Sequence, residues 1–290
     1  MKLTKIISAS AALLMAFSVA GCKLEEDALN MLSPSGDKCT IDFTNDGSKA
    51  EYARAFLTTK KAHLSADMAI EIDTSKTTIG NKSNSYATTT GYIFNVSGSG
   101  TEKDPYSFCL IGIRKYDGKP EYFASYYKDV LSADCTSDAN DFDTDANKAY
   151  EYDLSGGWKS IPTGSYTESN GKLSVYIAVT ALNGSTEITT EKIANTEVDA
   201  ETRDTNADKA DALKVTLKAS KIATTGTEIT YNKTNINKGK GSKTGATDIE
   251  SFSANKQGKL GYYAMVKKGS TLVANWEQQN FILSSEVVEE

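Results

Sequence analysis

Alternating hydrophobic and polar positions recur along the chain and predict β-strands rather than helices. The clearest example is segment 66–73, ADMAIEID, in which every second residue is apolar. This period of two is expected of a strand that buries one face and exposes the other. The segment that follows, 74–90, is polar and rich in Ser, Asn and Thr, which predicts a loop.

Three longer apolar segments follow one another closely between residues 91 and 130. They occupy 91–96, 106–114 and 121–130, and the YDGKP sequence at 116–120 has the residues of a tight turn. Strands joined by short turns pair antiparallel, so we expect a meander here.

The remaining strand candidates are shorter and are separated by long polar stretches. Segment 50–59, which contains AEYARAFL, predicts either a short helix or a strand, and no other segment predicts a helix of convincing length. About a dozen short strands with turn signals between them are typical of an all-β antiparallel β-sandwich. We therefore predict a single β-sandwich domain over residues 38–290, with strand candidates at 149–154, 172–181, 212–219, 228–231, 259–266 and 271–276 and polar loops at 134–147, 191–211 and 232–243.

The N-terminus has a different pattern. Lys2 and Lys5 precede an apolar stretch at 6–20, which is shorter than the roughly 20 residues that span a bilayer. The stretch ends in Val-Ala-Gly-Cys at 19–22, which resembles the lipobox of bacterial lipoproteins. The resemblance implies a signal peptide at 1–21, a mature chain that starts at a lipidated and acylated Cys22, and a charged tether at 22–37.

Lipidation would place the rest of the chain outside the cytoplasm. More than one acyl chain is needed for firm anchoring, because a single chain binds a membrane only marginally. Lys23 follows Cys22, and no Asp stands at that position as an inner-membrane retention signal. We therefore expect the outer membrane or the cell surface rather than the inner membrane.

Net charge narrows the range of partners. The chain has 32 basic and 38 acidic side chains, and removal of residues 1–21 takes away two lysines, leaving 30 against 38, a net charge of about −8. Nucleic acids and anionic lipid head groups are bound through positive charge. The composition therefore argues against both.

Segment 91–130 also resembles the core of concanavalin-like and laminin-G-like jelly rolls. The likeness is in the order of its hydrophobic positions: a Gly-aromatic strand, a loop, an aromatic-x-x-Leu-Ile-Gly strand, a turn and an aromatic-rich strand. It implies a jelly-roll sandwich with a concave sheet face, where relatives often bind glycans.

The sequence contains no recognisable catalytic constellation. His63 is its one histidine and there is no Gly-x-Ser-x-Gly motif, which argues against a Ser-His triad and a histidine metal cluster. Jelly-roll glycoside hydrolases use closely spaced acids, and the nearest match, Glu71-x-Asp73, lacks the third acid. We therefore predict that the protein is not an enzyme.

Three cysteines remain besides Cys22, so they can form at most one disulfide among themselves. Cys109 lies in the apolar segment YSFCLIGI, where a buried free thiol is common. If a disulfide forms, the pairing left by this argument is Cys39 with Cys135.

Aromatic residues occupy both faces of the segment EYFASYYKDV. Such a strand either packs beneath another layer or offers a stacking platform to a ligand, and core packing is the commoner cause. We expect core positions for these side chains and for both tryptophans: Phe123 and Tyr127 on one face, Tyr122 and Tyr126 on the other, then Trp158 and Trp276.

These observations predict a membrane-anchored lipoprotein that binds glycan or matrix protein without turnover. The alternatives are an accessory or structural subunit of a cell-envelope complex and, third, a glycoside hydrolase. Glycan binding without product release would distinguish the first from the other two.

An acidic loop offers one candidate metal site. Asp141, Asp143 and Asp145 alternate as at the start of an EF-hand, but Ala146 replaces the turn glycine and Tyr152 replaces the bidentate Glu. An EF-hand is thereby excluded, and a looser calcium site in this loop is the hypothesis that remains.

The calcium hypothesis predicts that millimolar calcium raises the melting temperature of the protein relative to chelator. Thermal unfolding followed by circular dichroism measures the difference. An unchanged melting temperature would contradict the hypothesis.

Overall fold

A computed structural model describes residues 33–35, 38–47, 51–61, 67–83, 88–132, 135, 150–188, 210–241, 248–254 and 259–279. These residues form a nearly all-β structure of seventeen strands and one short helix. The strands are β1 Ser33–Ser35, β2 Lys38–Thr44, β3 Glu51–Lys61, β4 Asp67–Asp73, β5 Thr88–Ser97, β6 Tyr106–Tyr116, β7 Lys119–Val130, β8 Tyr150–Asp153, β9 Lys159–Ser160, β10 Thr167–Ser169, β11 Lys172–Asn183, β12 Thr186–Ile188, β13 Ala212–Lys218, β14 Thr227–Asn232, β15 Lys240–Gly241, β16 Lys259–Lys267 and β17 Thr271–Gln279.

The strands of the described part form two antiparallel sheets that pack together as a sandwich. The first sheet has the order β1-β2-β17-β4-β11-β13-β14, and β10 and β12 pair with β11. The second sheet has the order β15-β8-β7-β6-β5-β16-β3, and β9 pairs with β7. The predicted all-β antiparallel sandwich is confirmed, and so is the meander, which is β5-β6-β7.

The ambiguous segment at 50–59 is a strand. β3 pairs antiparallel with β16 over most of its length, so long-range pairing decided what local sequence left open. The one helix of the described residues, α1 (Lys233–Lys238), was not predicted. It is six residues long and begins at Asn232, whose side chain accepts a hydrogen bond from the amide of Asn235.

The core between the sheets is built from the inward positions of both. Met68, Ile70 and Ile72 of β4 are buried while their neighbours along the strand are only half-buried, as the alternation predicted. Aromatic side chains tie the sheets together by hydrogen bonds. The Trp276 indole N–H donates to the carbonyl of Gly91 at 2.9 Å, and the Tyr231 hydroxyl donates to the carbonyl of Leu110 at 2.8 Å.

A second apolar cluster covers the outer face of the second sheet. Its members on β5, β6, β7 and β16 lie on the side opposite to the inter-sheet core; register shifts separate Ile93 from Val96 and Tyr127 from Val130, and Cys135 lies beyond the end of β7. Tyr126 faces the inter-sheet core, while Tyr127 is buried in this outer cluster. Core packing on both faces of β7 is thus confirmed. The buried members of the outer cluster are Ile93, Val96, Tyr106, Phe108, Leu110, Tyr127, Val130, Cys135, Tyr263 and Met265.

The Cys39–Cys135 pairing, expected only if a disulfide forms, is not made: Cys39, Cys109 and Cys135 are all buried and are not bonded to one another. Cys39 lies in the inter-sheet core and Cys135 in the outer cluster, so the second sheet stands between them. Two bridged sulfurs must approach to about 2 Å, which this arrangement forbids. Cys109 is buried as predicted, and burial raises the pKa of its thiol well above 9.0.

The signal peptide and the lipidation site Cys22 lie outside the described residues. Within the described part of the chain, no helix has the length and apolar character needed to cross a membrane.

Gly112 is required by the packing of the outer face. A Cβ added there would lie 1.9 Å from Cε1 of Phe123, and the ring cannot easily retreat because Trp158 packs against it at 4.7 Å. We expect Gly112→Ala to lower the free energy of unfolding by about 1–3 kcal/mol. Urea denaturation measures the change.

A double variant tests the cause. In a Phe123→Ala background the clash is absent, so Gly112→Ala should then be neutral or slightly stabilising, as Ala is less flexible than Gly when unfolded. Equal costs in both backgrounds would show that the Phe123 ring is not the obstacle.

Two buried tyrosines predict instability at high pH. Burial raises the pKa of Tyr126 from 10.0 to about 12, and burial also raises the pKa of Tyr231. The unfolded chain releases these protons near pH 10 and the folded protein keeps them. Stability is therefore intact below about pH 10 and is lost as the pH rises further, by about 1.4 kcal/mol per pH unit for each tyrosine.

Thermal unfolding between about pH 8 and pH 12, followed together with phenolate absorbance, measures this loss. Tyr231→Phe removes one of the two groups and should make the dependence on pH shallower. A melting temperature that stays constant up to pH 12 would contradict the prediction.

Candidate functional site

The outer face of the first sheet carries a groove. It encloses about 460 Å³ and crosses the central strands β2, β17, β4 and β11, with the segment after β13 at one side. Its walls and floor are formed by Lys38, Cys39, Thr40, Ala69, Ile70, Glu71, Ser174, Val175, Tyr176, Ala219, Ser220, Asn275, Trp276 and Glu277.

Strand alternation explains which side chains reach the groove. Trp276 points into the inter-sheet core, so its neighbours Asn275 and Glu277 point outward. Ala69 lies directly opposite Glu277 on one side and Tyr176 on the other. The small side chain of Ala69 between two large neighbours leaves a hollow in the face.

Four polar residues form a row across the groove. Asn275 of β17 pairs directly with Thr40 of β2 and with Glu71 of β4, and Glu71 pairs with Ser174 of β11. Adjacent strands lie about 4.8 Å apart, so the row extends about 14 Å. The side chains of Thr40, Asn275 and Ser174 make no hydrogen bond to another residue in the described structure.

Glu71 is the charged member of this row. Its Oε1 accepts a hydrogen bond from Lys172 Nζ at 2.7 Å, and this bond raises the pKa of Lys172. About a third of the Glu71 side chain, 35%, stays exposed. Asp73, two residues further on the same face, accepts a hydrogen bond from the Ser75 hydroxyl, which lowers the Asp73 pKa.

A second ion pair and a buried tyrosine border the row. Lys38 Nζ lies 3.5 Å from Oε1 of Glu277, with both side chains largely exposed. The Tyr176 hydroxyl donates to Asp67 at 2.7 Å, and Lys218 Nζ lies 6.0 Å from the ring centroid. Burial, followed by the bond to Asp67, raises the pKa of Tyr176, so its hydroxyl stays protonated.

The two tryptophans have different surroundings. Trp276 is fully buried in the inter-sheet core, as predicted. Trp158 is half-buried against the outer face of the second sheet, where the Arg114 guanidinium lies 3.9 Å from its ring centroid. Arg114 also forms an ion pair with Glu121 at 2.6 Å, and this cluster fixes the segment that enters β9.

The candidate calcium ligands Asp141, Asp143 and Asp145 lie outside the described residues, as does His63. Among the residues that the structure does describe, no three His, Cys, Asp or Glu side chains are arranged to hold a metal ion. Of the acid pair noted in the sequence, Glu71 lines the groove and Asp73 does not. Thr40, Ser174 and Asn275 were missed, because their adjacency depends on strand order rather than on local sequence.

No protein-family model matches the chain, and no curated protein matches it with significant similarity. Among solved structures, it is similar to a functionally unknown protein from Saccharomyces cerevisiae, with 9% sequence identity, a TM-score of 0.35 and coverage of 88% of this chain and 91% of the yeast chain. A similarity at this level carries no argument about function.

Proposed function

We propose that the protein is a lipid-anchored extracytoplasmic binding module that holds an oligosaccharide in the groove of the first sheet, without turnover. The observation that carries this proposal is the row of Thr40, Asn275, Glu71 and Ser174 across the groove. Three of these four side chains have no hydrogen-bond partner in the described structure, so they are available to a ligand.

The chemistry of the row suits a sugar. Each sugar hydroxyl both donates and accepts hydrogen bonds, and the hydroxyls and the amide of the row can do the same. Specific sites use a few well-placed polar groups of this kind on an otherwise preformed surface. A row of about 14 Å is long enough to contact more than one sugar ring, which favours an oligosaccharide over a monosaccharide.

The charges at the groove favour binding over hydrolysis. A glycosidase needs a carboxylic acid that donates a proton to the leaving oxygen. Both carboxylates that line the groove instead face a lysine: Glu71 with Lys172, and Glu277 with Lys38. Each carboxylate is therefore already engaged by a neighbouring ammonium group.

Anchoring through Cys22 would complement such a site. Many copies on one membrane engage a repetitive glycan at several points, and linked sites bind far more tightly than each does alone. When many copies bind together in this way, each groove needs only the modest affinity that a few hydrogen bonds supply.

A glycan array probed with the full chain in detergent tests the proposal, with calorimetry on the strongest oligosaccharide. We expect Asn275→Ala and Thr40→Ala each to weaken binding about tenfold, since each loses a hydrogen bond worth about 1 kcal/mol and leaves a ligand group unpaired. Thr230→Ala is the matched control, because Thr230 lies on the same sheet face but outside the groove.

Several results would contradict the proposal. A silent array with correctly folded protein would argue against glycan binding, and stoichiometric co-purification with envelope proteins would then favour an accessory subunit. Binding of a matrix protein that persists after its glycans are removed would replace the sugar by a protein ligand. Shortened oligosaccharides in the mixture would indicate a hydrolase.

A further inference from the structure

The four central strands beneath the groove are acidic. The strands β2, β17, β4 and β11 carry five carboxylates and two ammonium groups, a net charge of −3. All seven occupy outward positions, because the alternate positions of these strands are taken by the inter-sheet core. They are Asp42, Asp67, Glu71, Asp73, Glu277, Lys38 and Lys172.

Glu71 occupies a special position in this pattern. It lies in the row itself, between Asn275 and Ser174, so a ligand in contact with those two residues must pass over its carboxylate. Lys172 binds Oε1, and in the described structure Oε2 has no hydrogen-bond partner. An ionised carboxylate only accepts hydrogen bonds, so Oε2 can take a hydroxyl from the ligand but repels a second anion.

We propose that the groove selects uncharged oligosaccharides over acidic ones, and that Glu71 is the residue that sets this specificity. The inference rests on the proposed glycan-binding function. Glu71 would accept a hydrogen bond from a hydroxyl group of a neutral ligand. The same carboxylate would repel a carboxylate or sulfate group of an acidic ligand.

The lysines do not reverse this preference. Lys172 compensates one charge of the row, and Lys38 is paired with Glu277. Lys218, beside Tyr176 at the border of the groove, donates a hydrogen bond to the carbonyl of Lys221. The repulsion acts between partly exposed groups, so it is moderate and is screened by salt. We expect about tenfold weaker binding of an acidic ligand at low salt and a smaller difference at high salt.

The experiment compares two ligands that differ only in charge. The first is the best neutral oligosaccharide from the array, and the second is the same oligosaccharide with its hydroxymethyl groups oxidised to carboxylates. Calorimetry with the full chain in detergent gives the ratio of the two dissociation constants. Glu71→Gln removes the charge and keeps the shape, whereas Lys172→Met removes the compensating ammonium group.

The wild-type protein should bind the neutral ligand about tenfold more tightly. Glu71→Gln should reduce this ratio to about two- or threefold, and Lys172→Met should increase it. Glu228→Gln is the control: it removes one negative charge from the same sheet, on β14 and outside the groove, and should leave the ratio unchanged. Melting temperatures confirm that each variant is folded.

The outcomes separate this inference from the proposed function. Equal or tighter binding of the oxidised ligand by the wild type would overturn the inference while supporting glycan binding. An unchanged ratio in Glu71→Gln would overturn the role of Glu71. Binding of neither ligand by the folded wild type would overturn the proposed function itself.

Discussion

The burial of Trp276 is the constraint on which the arrangement of the molecule depends. The indole is the largest fully buried side chain of the described structure. Because burial removes its N–H from water, that group needs a hydrogen-bond acceptor within the protein. The carbonyl of Gly91 in the opposite sheet supplies that acceptor. This bond holds β17 in one orientation relative to the second sheet, and a slip by one residue would turn every side chain of the strand to the other face. Asn275 and Glu277 face outward because Trp276 faces inward. The polar side chains of the groove are therefore positioned by the packing and hydrogen bonding of Trp276 in the core.

The two sheets differ in burial, because the second sheet is buried on both faces over much of β5 and β6. Nearly every residue of these strands is buried, whereas β4 and β17 alternate between buried and half-buried or exposed positions. A sheet buried on both faces adds stability but offers few side chains to a ligand. Glycines make the dense packing possible: Gly112 leaves the space that the Phe123 ring fills, and a Cβ on Gly91 would meet the Ile111 carbonyl at 2.7 Å.

Sequence patterns predicted the fold class because the relevant signals are local. The ADMAIEID alternation at β4 indicates a strand with one buried and one solvent-facing side, and the continuous apolar run of β6 indicates a strand buried on both sides. The candidate site could not be predicted in the same way. Residues 40, 71, 174 and 275 meet because β2, β17, β4 and β11 are neighbours, and no segment of the sequence records that order. The conditional Cys39–Cys135 pairing could not be judged from sequence for the same reason: spacing along the chain does not tell which face of which sheet a thiol occupies.

Under the proposed function, the ion pairs on the polar face of the first sheet would shape the site without being its binding groups. Lysine pairs with glutamate at two places along the groove, and exposed pairs of this kind contribute little to stability. They occupy the charged groups, and the uncharged side chains of Thr40, Asn275 and Ser174 are the ones that the proposed function assigns to a ligand. The pairs leave an excess of carboxylates on the central strands, which under the proposed function would repel an anionic ligand and not a neutral one. Affinity and selectivity would then come from different residues of the same row, with hydroxyl and amide groups supplying the first and Glu71 the second.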